Sequence, residues 1–151
     1  TRSHHPGAPV VPSCWRATIV ERFWVTLYRR DWYAIAPFFG PTSRYTDMAT
    51  PADDVAVGPQ QILKRLRLGL EPLSGYEHEL GLMVADGNVV VTEHAETWTW
   101  HTGESGTLPF ASVQEVSGGV ITRWSDYWDL QTLLTAAPAW WIDHVMVGWD
   151  N

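Results

Sequence analysis

An acidic residue stands among tryptophans in the segment ITRWSDYWDL, which spans Ile121 to Leu130. The segment alternates large apolar and polar residues as a β-strand does, and every second side chain of a strand points to the same face. Asp126 therefore shares a face with Trp124 and Trp128. A carboxyl group among indoles loses its hydration, so it must be paired, hydrogen-bonded or protonated. Such a group is a candidate general acid or general base.

The same alternation places further polar side chains on inner faces. Between Val90 and Trp100, the even positions include His94 and Glu96 together with tryptophans, whereas the odd positions end in small polar residues. The bulkier even set is therefore predicted to face the core. On an earlier strand, Tyr45 and Asp47 point the same way. Two carboxyl groups in one apolar site cannot both ionise cheaply, so their pKa values separate, which is the condition for paired acid and base catalysis.

Each of these residues also has an ordinary structural explanation. A single aspartate on an aromatic strand face is more often a satisfied structural residue, and a lone His94 is more often a hydrogen-bonded core residue. Only the coincidence of several inward polar side chains favours a functional pocket. A metal site of His94, Glu96 and Asp126 is a weaker alternative, because no second inward histidine is evident. Nucleophilic catalysis lacks a Gly-x-Ser-x-Gly motif, and Cys14, the only cysteine, has no marked partner.

Helical periodicity predicts three helices that precede most of the strands. The first begins near Ser13, and a short second helix runs from its N-cap, Asp31, through Ala36. The third opens at Gly58-Pro59, carries an apolar stripe and is stopped by Pro72. Its dense basic run is interpreted as a solvated face. The run consists of Lys64, Arg65 and Arg67.

Strands dominate the rest of the chain. A short strand at 43–48 precedes the third helix, and glycine-containing turns separate four later strand candidates, at 76–85, 88–101, 107–116 and 120–129. The tail at 133–149 is partly helical. Helices segregated from an antiparallel sheet define an α+β domain, and a bent sheet wrapped on the helices would enclose a pocket. A flexible arm, 1–12, is expected to precede one domain, 13–151.

Composition excludes several classes of function. The 151 residues suit one domain, and a net charge of −7 without a basic stripe argues against nucleic acid and anionic membranes as partners. No apolar run reaches the roughly 20 residues that span a bilayer. A single cysteine fits a reducing cytoplasm. The ten tryptophans exceed what minimal packing needs, so aromatic surface must have a further use.

Three short segments, in order, resemble the limonene-1,2-epoxide hydrolase family within the NTF2-like, or SnoaL-like, superfamily. They are YTDM at 45–48, HAE at 94–96 and WSDYWD at 124–129. The family has Tyr-x-Asn-Met, Arg-x-Asp and Trp-x-Asp-Tyr-Phe-Asp at these places. The resemblance covers 14–134 and implies an NTF2-like cone. In such a fold a strongly curved mixed or antiparallel sheet wraps on N-terminal helices and encloses an apolar pocket.

The resemblance implies one-step addition of water to a small hydrophobic epoxide, with no metal, organic cofactor or covalent intermediate. Asp126 would activate the water, Tyr45 would help to hold it, and Glu96 would protonate the epoxide oxygen. His94 would occupy the bridging position between the acids, and Asp47 would take the asparagine place. The resemblance also implies a set of residues that line the pocket. They are Trp24, Leu27, Leu66, Leu70, Trp98, Leu108, Phe110, Trp124 and Trp128.

Three positions depart from the family pattern, because His94 replaces arginine, Glu96 replaces aspartate and Asp47 replaces asparagine. Neutral imidazole lacks the fixed charge of guanidinium, so this set is more acidic and more dependent on pH. Two other functions stay open. One is proton transfer next to a carbonyl, as in the ketosteroid isomerase and polyketide cyclase branches of the fold. The other is non-catalytic binding of an apolar terpenoid or steroid-like ligand.

The partners that the resemblance implies are a small hydrophobic substrate and a second copy of the chain. The tail sequence PAWWIDHVMVGW carries more aromatic surface than a monomer would leave in water. We therefore expect the tail either to form part of a homodimer interface or to cap the mouth of the pocket.

Overall fold

Apart from one short strand, the helices and strands succeed one another in the order that the sequence predicts. The computed structural model describes residues 15–149. The helices are α1 (Trp15–Tyr28), α2 (Trp32–Ile35), α3 (Gly58–Leu70), α4 (Leu130–Ala136) and α5 (Ala139–Met146), with a 3-10 turn at Ala36–Phe38. The strands are β1 (Phe39–Asp47), β2 (Val55–Val57), β3 (Gly75–Asp86), β4 (Val89–Thr99), β5 (Ser105–Ser117) and β6 (Val120–Trp128).

The strands within the described range join one mixed sheet in the order β2-β1-β6-β5-β4-β3. From β3 to β6 each strand pairs with the next in antiparallel fashion, which confirms the predicted meander. Between residues 15 and 149, the single parallel pairing joins β1 to β6. The predicted α+β class, with N-terminal helices and a curved mixed sheet, is confirmed.

The even positions of β4 face the core, as strand alternation predicts. His94 and Glu96 are only 5% and 6% exposed, although both carry polar groups. On β6, Trp124 and Asp126 are likewise buried. Helix α1 covers this face with Trp24, whose ring lies 5.7 Å from that of Trp124. The inner face of the sheet therefore combines aromatic and ionisable side chains.

The first strand is longer than predicted, and the short second strand was missed. β1 begins at Phe39 even though Gly40 and Pro41 lie within it. The register shifts between Phe39 and Arg44, which accommodates a proline that has no N–H to give to the ladder. β2 has only three residues, too few to show an alternating pattern.

Helices α2 and α3 lie where the sequence predicts them, and Asp31 is the N-cap of α2 as predicted, although it caps with its backbone alone. Asp31 occupies the N-cap position, yet its side chain makes no capping hydrogen bond. Its backbone carbonyl accepts from the amides of Ala34 and Ile35 instead. The predicted helical tail forms α4 and α5.

Several predictions concern residues that the structure does not describe. The flexible arm, 1–12, the predicted helix start at Ser13, and Cys14 lie outside the described residues. Within residues 15–149, no helix combines the length and the apolar character needed to cross a bilayer.

Gly58, the first residue of α3, has a backbone conformation and a close neighbour that a substitution can test. Its φ of +81° is unfavourable for other residues, and an added β-carbon would lie 3.2 Å from the carbonyl oxygen of Pro41. We expect Gly58→Ala to lower the free energy of unfolding by about 1–3 kcal/mol in urea denaturation. Gly69→Ala in the same helix is the matched control, since its β-carbon meets only Trp141, at 3.8 Å. Equal stability of the two variants would contradict this explanation.

Candidate active site

A cavity of about 790 Å³ opens on the inner face of the sheet. This volume is typical of sites for small molecules. All nine residues that the resemblance places in the pocket line it, from Trp24 on α1 to Trp128 on β6. Tyr45, Asp47 and the two predicted catalytic acids, Glu96 and Asp126, also line it. The roles of these residues in binding or catalysis stay predictions.

Asp126 lies on the strand wall of the cavity, next to its own strand neighbour Trp124. The indole Nε1 of Trp124 donates to Oδ1 of Asp126 at 2.6 Å. Burial raises the pKa of Asp126 well above its ordinary value, and the negative charge of Asp47 raises it further. The indole of Trp124 and the hydroxyl of Ser112 act in the opposite direction without cancelling this effect. The cavity therefore favours the protonated form of Asp126.

Glu96 is held by two donors that carry no charge. Tyr76 Oη donates to Oε1 and Trp98 Nε1 donates to Oε2, both at 2.8 Å. Burial raises the pKa of Glu96 to about 7, because desolvation outweighs the two hydrogen bonds that lower it. A carboxyl group with this pKa gives up and takes back a proton near neutral pH, as a general acid must. The sequence did not single out Tyr76, although it is the cross-strand partner of Trp98.

Asp47 is the carboxylate with a full counter-charge. Its Oδ1 accepts from Tyr45 Oη at 2.9 Å and from Trp128 Nε1 at 3.0 Å. Its Oδ2 accepts from Nε of Arg65 at 3.2 Å. The same guanidinium donates to the carbonyl of Asp54 at 2.8 Å and pairs with its side chain at 3.1 Å. This network gives Asp47 one guanidinium and two neutral donors at one end of the cavity.

The interpretation of the basic run on α3 as a solvated face is wrong for Arg65. Arg67 is exposed and pairs with Glu71, as expected for a surface residue. Arg65 is only 9% exposed and lines the cavity. It follows the buried Ile62 by three residues and precedes Leu66, so it belongs to the apolar stripe of the helix. That spacing is the signal by which the sequence could have identified it.

His94 does not line the cavity, so the structure does not bring it to the bridging position. Its Nε2 lies 2.5 Å from Thr92 Oγ1, and its Nδ1 lies 2.9 Å from Nε2 of His78. Burial lowers the pKa of His94 to about 4, so the ring is neutral near pH 7. The guanidinium that pairs with a carboxylate of the cavity is that of Arg65.

The weaker alternative of a metal site finds no matching arrangement. Across residues 15–149, no three or more His, Cys, Asp or Glu side chains are grouped so that they could hold a metal ion. His94, Glu96 and Asp126 therefore do not form the three-ligand set considered from the sequence.

The C-terminal tail covers the cavity. Residues of α5 and the segment after it line the cavity, and Trp141 Nε1 donates to the carbonyl of Gly69 at 3.0 Å. Trp149 Nε1 donates to Oδ1 of Asp54 at 3.0 Å, which connects the tail to the partner of Arg65. Of the two uses expected for the tail, the structure favours capping. Homodimer formation stays a prediction.

Comparison with known families agrees with this architecture. The family model of the SnoaL-like domain matches residues 20–124, which is more than half of the chain. The protein therefore belongs to the SnoaL-like domain family. No curated protein matches the chain significantly.

Solved structures share the fold at low sequence identity. An LEH-like epoxide hydrolase of M. tuberculosis is 23% identical with a TM-score of 0.69, over 90% of this chain and 98% of that one. A protein of Shewanella putrefaciens CN-32, provisionally described as a SnoaL-like polyketide cyclase, is 15% identical with a TM-score of 0.71, over 81% and 95%. An NTF2-like protein of Burkholderia thailandensis E264 is 25% identical with a TM-score of 0.69, over 82% and 98%.

The raised pKa of Glu96 predicts a specific pH dependence of stability. In the folded protein this pKa rises from 4.5 to about 7, so the contribution of Glu96 to stability is complete below pH 4.5 and is lost as the pH rises to 7. The loss amounts to about 3 kcal/mol. We expect Glu96→Gln to remove this pH-dependent loss. The free energy of unfolding of the variant, measured by urea denaturation, should therefore increase relative to that of the wild type between pH 5 and pH 8. The exposed Glu77→Gln is the control, and an identical pH dependence in both variants would refute the prediction.

The ion pair between Arg65 on α3 and Asp47 on β1 can be tested by a double-mutant cycle. Arg65→Met leaves the largely buried Asp47 carboxylate without its cation, and we expect the free energy of unfolding at pH 7 to fall by about 3 kcal/mol. Adding Asp47→Asn should recover most of this loss, because both charges are then absent. Arg67→Met, on the exposed face, should leave stability unchanged. A double variant no more stable than Arg65→Met would show that the pair does not couple.

Proposed function

We propose that the protein is an acid–base enzyme that adds water to a small apolar epoxide. The observation that carries this proposal is that three carboxyl groups, those of Asp47, Glu96 and Asp126, line one apolar cavity. Burial raises the pKa of Glu96 and of Asp126, whereas Asp47 pairs with the guanidinium of Arg65. Apolar walls suit a hydrophobic substrate, and they strengthen every electrostatic interaction inside the site. Paired acid and base groups of different protonation state are what hydrolysis of an epoxide requires.

Asp47 and Asp126 together supply the base. They are register neighbours on the parallel strands β1 and β6, and the charge of Asp47 raises the pKa of Asp126. Because the two groups interact, basicity is assigned to the pair rather than to either residue. Arg65, which pairs with Asp47, places one positive charge beside this pair. Tyr45, whose hydroxyl bonds to Asp47, helps to hold the attacking water.

Glu96 supplies the acid. Water attacks one carbon of the epoxide, and its proton passes to the Asp47–Asp126 pair. The carbon–oxygen bond on the same carbon breaks as Glu96 protonates the departing oxygen. The product is a diol, and proton exchange with solvent restores both acid and base. No covalent bond to the protein forms at any stage.

A second function, proton transfer next to a carbonyl, is supported by the protonated state of Asp126. A protonated carboxyl group can donate a hydrogen bond to the oxygen of an enolate, while an ionised one removes the proton from carbon. In this reaction Asp126 would be the donor and Asp47 the base. The polyketide cyclase description of one structural neighbour adds support.

Isotope labelling separates the two functions. In H₂¹⁸O, hydrolysis of limonene-1,2-epoxide puts ¹⁸O into the diol, which mass spectrometry detects. In D₂O, proton transfer next to a carbonyl puts deuterium into an enone, which NMR detects. We expect the labelled diol, and we expect Asp126→Asn and Glu96→Gln each to slow its formation by about 10² to 10⁴-fold.

The exposed Glu77→Gln is the matched control and should keep the wild-type rate. Deuterium incorporation without diol would favour the second function. Quenching of tryptophan fluorescence by a ligand that is recovered unchanged, with no labelled product of either kind, would favour a non-catalytic binder and would refute both enzymatic functions.

A further inference from the structure

A row of buried polar side chains crosses the inner face of the sheet beside the cavity. Thr92 on β4 pairs in register with Ser112 on β5, and Ser112 pairs with Asp126 on β6. Side chains in register on one face of a sheet lie close enough to interact directly. Thr92 and Ser112 are 1% and 0% exposed, so water does not reach them from the surface.

Two histidines extend the row on the side away from Asp126. His94 Nε2 lies 2.5 Å from Thr92 Oγ1, and His94 Nδ1 lies 2.9 Å from Nε2 of His78. Tyr28 Oη contacts Nε2 of His78 and lies 3.3 Å from Nδ1 of His94. We call His78, His94, Thr92 and Ser112 the polar row.

The Asp126 end sets the direction of the hydrogen bonds. Trp124 already donates to Oδ1 of Asp126. The buried hydroxyl of Ser112 lies close enough to lower the pKa of Asp126, yet it has no partner at full hydrogen-bond geometry within the described residues. An unpaired buried hydroxyl is costly, and the facing carboxyl group is the acceptor that Ser112 needs. If Ser112 donates to Asp126, its oxygen can accept from its register neighbour Thr92, and Thr92 can in turn accept from His94. A neutral imidazole has one N–H, so His94 must then carry its proton on Nε2.

We propose that the polar row is a directed chain of hydrogen bonds that ends on Asp126, with Ser112 as the positioning residue of that carboxyl group. The chain orients the carboxyl group and stabilises its ionised form, which is the form that can accept a proton from water. The catalytic meaning of the row rests on the proposed function, because Asp126 belongs to the acid–base pair. The existence of the row does not depend on the proposed function.

Other charged and titratable groups also act on Asp126, and they must stay constant in the test. Asp47 and Glu96 raise its pKa through their negative charge, and its charge in turn raises the pKa values of Tyr45 and Tyr76. These groups lie on β1, β3 and β4, and Arg65 of α3 faces Asp47. Substitutions confined to the polar row leave all of them in place.

The titration of Asp126 in the substrate-free protein tests the proposal. Carboxyl ¹³C resonances of aspartate-labelled protein report the titration, and Asp126→Asn assigns the signal. We expect Ser112→Ala to lower the acid dissociation constant of Asp126 by about tenfold, because the carboxylate loses a donor. Thr92→Val should shift it in the same direction by less, and Thr92→Ser should restore it. Ser117→Ala and Thr97→Val, on the same strands but outside the row, are the matched controls and should change nothing.

The tautomer of His94 gives an independent readout. We expect ¹⁵N NMR to find the proton on Nε2 in the wild type, with a redistribution towards Nδ1 in Thr92→Val. An Asp126 titration that neither Ser112→Ala nor Thr92→Val moves would overturn the proposal, as would a wild-type His94 protonated on Nδ1. Neither readout needs a substrate, so failure of the proposed function leaves both interpretable. Conversely, diol formation by Ser112→Ala with the same pH profile as the wild type would refute the polar row and leave the proposed function intact.

Discussion

Burying a carboxyl group among apolar rings is costly unless donors replace the lost water, and this constraint shapes the wall of the cavity. Each of three carboxyl groups on that wall accepts a hydrogen bond from an indole. Trp124 donates to Asp126, Trp98 to Glu96, and Trp128 to Asp47. In the first two cases donor and acceptor are two residues apart on one strand, so the alternation that buries the acid also supplies its donor. An indole is both a large apolar surface and an N–H group, and it can therefore exclude water and replace it at once.

The relative sizes of desolvation, hydrogen bonding and ion pairing explain why the three acids have different surroundings. Desolvation of a carboxylate costs several kcal/mol, whereas a hydrogen bond to a charged group contributes about 1.5–3 kcal/mol. Neutral donors alone therefore leave Glu96 and Asp126 with raised pKa values. Asp47 also has the guanidinium of Arg65, which offsets its charge directly. One cation beside one of the three acids therefore makes their electrostatic surroundings unequal.

The sequence predicted the faces of the strands well, because alternation in a strand is rigid. It placed Glu96 and Asp126 on the inner face from parity alone, and the structure puts both on the cavity wall. Parity identifies a face but not a neighbour, so it could not show that the β3–β4 pairing brings His78 to His94. Arg65 was wrongly predicted to face solvent because it stands in a run of basic residues, although it lies within the apolar stripe of α3. The short β2 carries too little pattern for any prediction from sequence.

The parallel pairing of β1 with β6 has a consequence for how the chain reaches its native state. The hairpins from β3 to β6 join neighbouring segments, whereas the contact between Asp47 and Trp128 spans 81 residues. Contacts between distant segments close larger loops and slow folding, so they follow the formation of local hairpins. The repulsion between Asp47 and Asp126 therefore arises when β1 pairs with β6, and the hairpins of the meander do not include it. The same loop closure brings Asp47 into register with Asp126.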